Sequence, residues 1–170
     1  MKYKLTFLAL TFMLGALQTL SAQKFGHLNS AAIIEVHPKV ATANAELEAF
    51  NKSVSEPFAA KAKAFESKYL FFLEEVNAGT LSKISTQTRQ EELQKEQQEL
   101  SKEEQQIQFS IMQKREQLLQ PILTEVDSVI QVIGKEGKYT MIFDTSVTGA
   151  LLFAQESEDL TESVKARLKS

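Results

Sequence analysis

"EEVNAGTLSKI", residues 74–84, separates two long runs of helix-forming residues and decides how the chain folds. Asn77-Ala78-Gly79-Thr80 supplies turn chemistry, with Gly79 free to adopt positive φ. Upstream, the apolar positions keep a helical rhythm. Val40, Ala43, Leu47, Phe50 and Val54 are spaced 3, 4, 3, 4, and Phe58, Ala62, Phe65, Tyr69, Phe72 and Val76 continue 4, 3, 4, 3, 4. Such a stripe is the seam of one helix lying against another. The step from Val54 to Phe58 adds a second 4 in succession, a stutter, and Pro57 within it predicts a local bend. Downstream, Leu81 and Ile84 seed a second helix with a thinner seam. Leu93, Leu100 and Ile107 recur every seven residues, with Gln97 and Glu104 at the alternate positions. The stripe thickens through Ile111, Leu118, Ile122, Val126, Val129 and Ile133, and Gly134 and Gly137 are expected to end it.

Between Ile84 and Ile111 the second helix has little to bury except that seam. It needs a partner alongside, and the short turn makes that partner its predecessor. The middle of the chain therefore reads as an antiparallel helical hairpin, an arm rather than a globule. Its first helix, Lys39 to Ala78, would be about 60 Å long at 1.5 Å per residue.

The flanks have a different character. "KFGHLN" (24–29) reads as a short strand, and "SAAIIEVHP" (30–38) as a helical turn ending before Pro38. "YTMIFD" (139–144) and "ALLFA" (150–154) are rich in β-formers and read as a hairpin around "TSVTG". "SEDLTESVKARLK" (157–169) closes the chain as a helix, with Asp159 as N-cap and Glu162 at the capping-box spacing. The expected fold class is α+β. Residues 23–37 and 122–170 form a discontinuous β body, and 38–121 form the arm, its tip near 77–81. A body of roughly 60 residues holds a marginal core, and its strand edges invite pairing with other copies. Phe25, Leu28, Met141, Phe143, Leu151 and Phe153 are its candidate oligomerisation residues.

Residues 1–22 read as a cleaved signal peptide. Lys2 and Lys4 precede an apolar run from Leu5 to Leu20, with a cut expected before Gln23. The run is short for a membrane span, which needs roughly 20 apolar residues. A membrane anchor is thus the weaker reading, and contact with a membrane surface is left open. Without Lys2 and Lys4, 17 basic residues face 22 acidic ones, a net charge of −5. That balance argues against nucleic acid as partner, since phosphate binding needs a basic footprint. The chain has no cysteine, which excludes disulfides, a thiol nucleophile and a lipidated cysteine.

No enzyme constellation is visible. His27 and His37 are the only histidines and lack metal-ligand spacing. They read as a strand side chain and a pre-proline boundary residue. Glu74-Glu75, Glu91-Glu92 and Glu103-Glu104 are adjacent on helices, so each pair diverges into solvent rather than converging on a substrate. No GxSxG, Walker loop or GxGxxG occurs, and no cofactor or metal is expected.

One stretch of the arm is too apolar for a single seam. In "KYLFFLEE" (68–75), Tyr69, Leu70, Phe71, Phe72 and Leu73 sweep more than a full turn of about 3.6 residues. If the arm turns at Gly79-Thr80, residues pair when their numbers sum to about 160, which sets this ring opposite "QTRQE" (87–91). Tyr69 and Phe72 would pack over Gln87 and Arg89. Leu70, Phe71 and Leu73 are left over as candidate contacts for a client chain, with Phe109 and Met112 as weaker ones. Contact between arms, or another register that buries more, is the alternative account. The same rule sets Pro121 opposite residue 39, beside Pro38, and makes Pro57 and Pro121 candidate hinges.

These features together resemble the Skp/OmpH family of periplasmic chaperones. The resemblance rests on the signal peptide, the first strand, the helical hairpin and above all the ending "GKYTMIFD…ALLFAQESEDLTESVKARL". It implies a homotrimer with a central β body and three arms around a cavity. There, unfolded outer-membrane β-barrel proteins would be held without ATP in the periplasm. Better-known members are strongly basic, so client charge preference does not transfer to this acidic chain. A lipopolysaccharide cluster proposed for some members is not carried over: Lys102 matches one position, but Met112 and Gln113 stand where others should be basic. The competing reading is an exported coiled-coil structural or adaptor protein with one folded envelope partner.

Overall fold

The computed structural model describes residues 23–149 and 151–169. The signal peptide expected at 1–22 lies outside the described residues, as do Ala150 and Ser170. Strand β1 (Phe25–Leu28) leads into helix α1 (Ser30–Glu35). Asn29 starts that helix, its side-chain oxygen accepting the Ala32 N–H at 3.0 Å. Two long helices follow, α2 (Val40–Asn77) and α3 (Lys83–Glu136), of 38 and 54 residues. Both run unbroken through their prolines, Pro57 and Pro121.

The link between α2 and α3 is a tight stop and restart. Gly79 takes φ +67, its N–H bonds to Val76 O at 3.1 Å, and Thr80 N–H reaches Glu75 O at 3.2 Å. This pair of bonds closes a helix around one left-handed residue, which glycine adopts without steric cost. Ser82 then caps α3, its hydroxyl oxygen accepting the Ser85 N–H at 3.1 Å. The helices lie side by side, joined by Lys39–Glu125 at 2.5 Å, Lys61–Glu103 and Lys68–Glu96 at 2.6 Å, and Glu75–Arg89. Residue numbers rise on one side as they fall on the other, so the two chains run in opposite directions.

In each of those four pairs the numbers sum to 164, whereas a fifth and longer pair, Glu46–Lys114 at 3.7 Å, sums to the expected 160. The expected register is therefore kept at Glu46–Lys114 and exceeded by four residues, about one helical turn or 6 Å, in the four closer pairs. The reason is apolar matching. In the observed register Phe72 and Leu93 are buried, 8% and 7% exposed, at one level of the arm. In the expected one Phe72 would face Thr88.

The body differs from expectation in its sheet. Strand β2 (Met141–Asp144) pairs with β1 in parallel, Phe25 with Met141 through Leu28 with Asp144. The two long helices, after the short α1, return the chain to the same end of the sheet, the connection a parallel pair requires. Leu151–Ala154 forms no strand, so the hairpin read in "YTMIFD" and "ALLFA" is not made. That segment instead leads to the other edge of β1. There Leu160 N–H donates to His27 O at 2.8 Å, and His27 bridges to Asp159. The final helix α4 (Thr161–Leu168) starts at this point. Leu160, not the expected Asp159, is the N-cap and has no side-chain cap bond; Asp159, one residue earlier, accepts the Thr161 N–H at 2.8 Å, and Glu162 pairs with Lys165 at 2.9 Å and closes no capping box.

The body core gathers Leu28, Ile33, Val126, Leu160 and Val164, with Ile34, Val129, Ile130, Ile133, Tyr139, Ile142 and Leu168 packed on it. Helix α3 thus joins arm and body as one rod. Gly134 lies inside it, contrary to expectation, and Gly137 caps it in an ordinary helical conformation. Lys138 takes the left-handed position at φ 53, and Tyr139 N–H bonds back to Gly134 O at 2.9 Å. A side chain at Gly137 would come within 2.4 Å of the Tyr139 ring, which explains the glycine there.

Candidate functional site

Successive residues of a helix point about 100° apart, so the five large side chains of Tyr69–Leu73 cannot share one fate. Phe72 is turned into the helix pair and buried at the level of Leu93. Tyr69 and Leu73 flank it on one side and, with Phe65 and Val76, form the apolar wall of a groove of about 420 Å³. Phe65 and Tyr69 stack at 6.3 Å between ring centroids. The facing wall comes from α3 and carries Thr86, Gln90, Gln94 and Gln97, with Leu93 at the floor. Leu70 and Phe71 lie outside the groove, 57% and 58% exposed. Of the three side chains left over by the sequence reading, Leu73 therefore belongs to a groove and two stand in solvent.

Ion pairs bracket this region. Lys68 meets Glu96 on the body side, and Glu75 meets Arg89 towards the tip. Between them the groove wall carries no ionised residue. Phe109 and Met112 are exposed as well. They share a face at i, i+3, about 24 Å down the arm from Phe71 by the observed register. The structure thus does not bring them together with the ring. Ile84, read as seeding the second helix, is also exposed.

The second apolar surface lies on the body. Phe25 and Phe143 approach to 6.3 Å between ring centroids and, with Leu151 and Phe153, line a cavity of about 740 Å³. Phe153 is 82% exposed and Met141 is exposed too. Leu28, grouped with them in the sequence reading, is buried inside the protomer core and presents nothing outward. Strand alternation explains the split, since successive side chains point to opposite faces.

At the root of the arm His37 is buried, not merely a boundary residue. Its Nδ1 accepts the Lys39 N–H at 3.2 Å, and its Nε2 lies 3.7 Å from a Glu125 oxygen. The hydrogen bond from the Lys39 ammonium holds Glu125 below the usual carboxylate range, against a smaller opposing effect of burial. Among the described residues no group of three or more His, Cys, Asp or Glu could hold a metal, and no helix is long and apolar enough to cross a membrane.

The order of these elements is that of a known family. A family model described as "Outer membrane protein (OmpH-like)" matches residues 24–168. The chain belongs to the OmpH-like family. Among solved structures it resembles an OmpH-like protein of Caulobacter crescentus, described as a proposed outer membrane chaperone. The TM-score is 0.66 at 16% identity, over 87% of this chain and 85% of that one. No curated protein matches it. For an OmpH-like chain, the glutamines facing the apolar groove wall are the feature that sequence reasoning missed. Their 90, 94, 97 spacing follows the seam rhythm, but only the corrected register sets them across from Tyr69 and Leu73.

Proposed function

We propose that the protein is an ATP-independent holdase of the periplasm that keeps unfolded outer-membrane β-barrel proteins from aggregating. Three copies would join through the bodies of residues 23–37 and 122–170. Their arms, residues 38–121, would enclose the client. The observation that carries this reading is the exposed apolar surface of the arm, where Leu70 and Phe71 stand in solvent on a helix of a chain in the OmpH-like family. Each large side chain left wet forgoes roughly 1.5–3 kcal/mol of burial, so a surface of this kind marks a binding site. Leu73, Phe109 and Met112 extend it. Many weak apolar contacts suit a surface that accepts varied chains, and such holding calls for no catalytic group and no nucleotide.

The test is aggregation of several unrelated unfolded barrel proteins on dilution from urea, with and without the mature protein. Suppression without ATP is expected. Replacing Leu70, Phe71 and Leu73 together by Ser should abolish it while the mass of the assembly in solution stays the same. A protein that suppresses no client would be an adaptor, and the holdase reading would fall. Lost assembly in the triple variant would reassign those residues to packing between arms.

A further inference from the structure

The groove at the arm tip has two unlike walls with one repeat. On α2, Tyr69 and Leu73 stand four residues apart, a rise of about 6 Å. On α3, Gln90 and Gln94 have the same rise, and Gln97 continues the row. In an extended chain, every second residue recurs after about 6.6 Å, and alternate side chains share one face. Phe65, Tyr69 and Leu73 give two such steps on α2 and Gln90 to Gln94 gives one on α3, whereas Leu73 to Val76 and Gln94 to Gln97 advance only about 4.5 Å. A chain laid along the groove would set every second side chain on Phe65, Tyr69 and Leu73. Its backbone edge would meet the glutamine amides, each of which can donate and accept.

We propose that this groove binds extended polypeptide with apolar residues at alternate positions, the glutamines Gln90, Gln94 and Gln97 reading the peptide backbone. The inference rests on the holdase reading and specifies the part of the client that is gripped. Three observations choose this occupant. The glutamine amides make no side-chain hydrogen bond within the protein among the described residues, so their capacity is free for a ligand. No ionised group lines the groove, which suits neutral amides and apolar side chains and disfavours a charged ligand. Alternation of apolar and polar residues is the sequence pattern of a membrane β-barrel strand, about ten residues at a time. Backbone contacts add affinity without demanding a particular side-chain order, as in other modes of strand recognition.

The experiment uses the full mature protein and a ten-residue peptide of alternating apolar and polar residues, labelled for fluorescence anisotropy. A second peptide is N-methylated at alternate amides along one edge. The parent peptide should bind, and N-methylation should weaken it about tenfold, the effect of losing two or so net hydrogen bonds. Q90L/Q94L should bring the two peptides to equal affinity, and Leu73→Ser should weaken both alike. Circular dichroism melts establish that each variant is folded. Equal binding of the two peptides to the unaltered protein, or no binding of either, overturns the inference. So does a change of assembly mass in Leu73→Ser, which would give the groove to a second copy. The unaltered protein's aggregation assay is read in parallel. Suppression of client aggregation alongside equal peptide binding removes the groove and leaves the holdase, whereas no suppression removes the holdase itself.

Discussion

At the scale of single residues, Asp159 connects the sheet to the last helix. It accepts the Thr161 N–H, while the Thr161 hydroxyl oxygen takes the Asn29 N–H at 3.0 Å. The side-chain hydrogen bond from Thr161 holds the Asp159 carboxyl below its ordinary range, outweighing burial. At Asp144, burial pushes the carboxyl up, but hydrogen bonds from the Ser30 hydroxyl and from the Ser146 and Ser30 backbone together outweigh it. Both carboxyls therefore stabilise the folded state fully above the unfolded value, near 3.9, and lose that contribution as pH falls through the lower folded value. Asp159→Ala should cost about 1 kcal/mol in urea unfolding at pH 7, the usual net worth of a lost hydrogen bond. The difference between variant and parent should shrink below about pH 3–4. A difference independent of pH would mean the carboxylate charge is irrelevant. Lys138 gives a prediction of opposite sign. It holds φ 53 with no steric relief, so Lys138→Gly should stabilise by about 1 kcal/mol, read from the same unfolding curves.

At the scale of elements, the ends of the long helices were legible in the sequence and their register was not. The 3,4 rhythm and "NAGT" give α2 and α3 to within about two residues, because apolar spacing and turn chemistry are local properties. The register depends on which seam residue meets which. With Gln97 and Glu104 filling alternate seam positions, the apolar signal on α3 is too sparse to choose between neighbouring turns. Phe72 against Leu93 and four close ion pairs set the register over most of the arm, while Glu46–Lys114 keeps the expected sum. The sheet was misread for a related reason. "ALLFA" has strand composition, but pairing is decided by which edge is reached, and β1 is flanked by β2 and by Asp159-Leu160. The prolines are elements of another kind. Each removes one N–H from an otherwise continuous helix, leaving a carbonyl one turn earlier without its usual donor. Pro121→Ala should restore that bond and stiffen the arm. Small-angle scattering should then show a narrower spread of maximum dimension, and an unchanged spread would remove the hinge.

At the scale of the whole molecule, the body has two apolar faces and a core on only one of them. Leu28, Ile33, Val126, Leu160 and Val164 close the inner face. Phe25, Phe143, Leu151 and Phe153 remain around an open cavity on the other, and Met141 is exposed. Exposure separates two fates for that outer face. In a lone chain, substituting a side chain as wet as Phe153 should move stability by no more than about 0.5 kcal/mol, the usual range for surface changes. If the proposed assembly covers it, the same change removes contacts between copies, and stability becomes dependent on protein concentration. Phe25→Ser combined with Phe153→Ser should therefore leave the fold intact by circular dichroism yet lower the mass measured by light scattering from that of three chains. It should abolish client holding as well, although neither residue lies on the arm, because one arm alone encloses nothing. An unchanged trimer in the double variant would place the contact elsewhere on the body. A monomeric parent protein would remove the cavity, and with it the reason for an arm whose apolar side chains face away from its own partner helix.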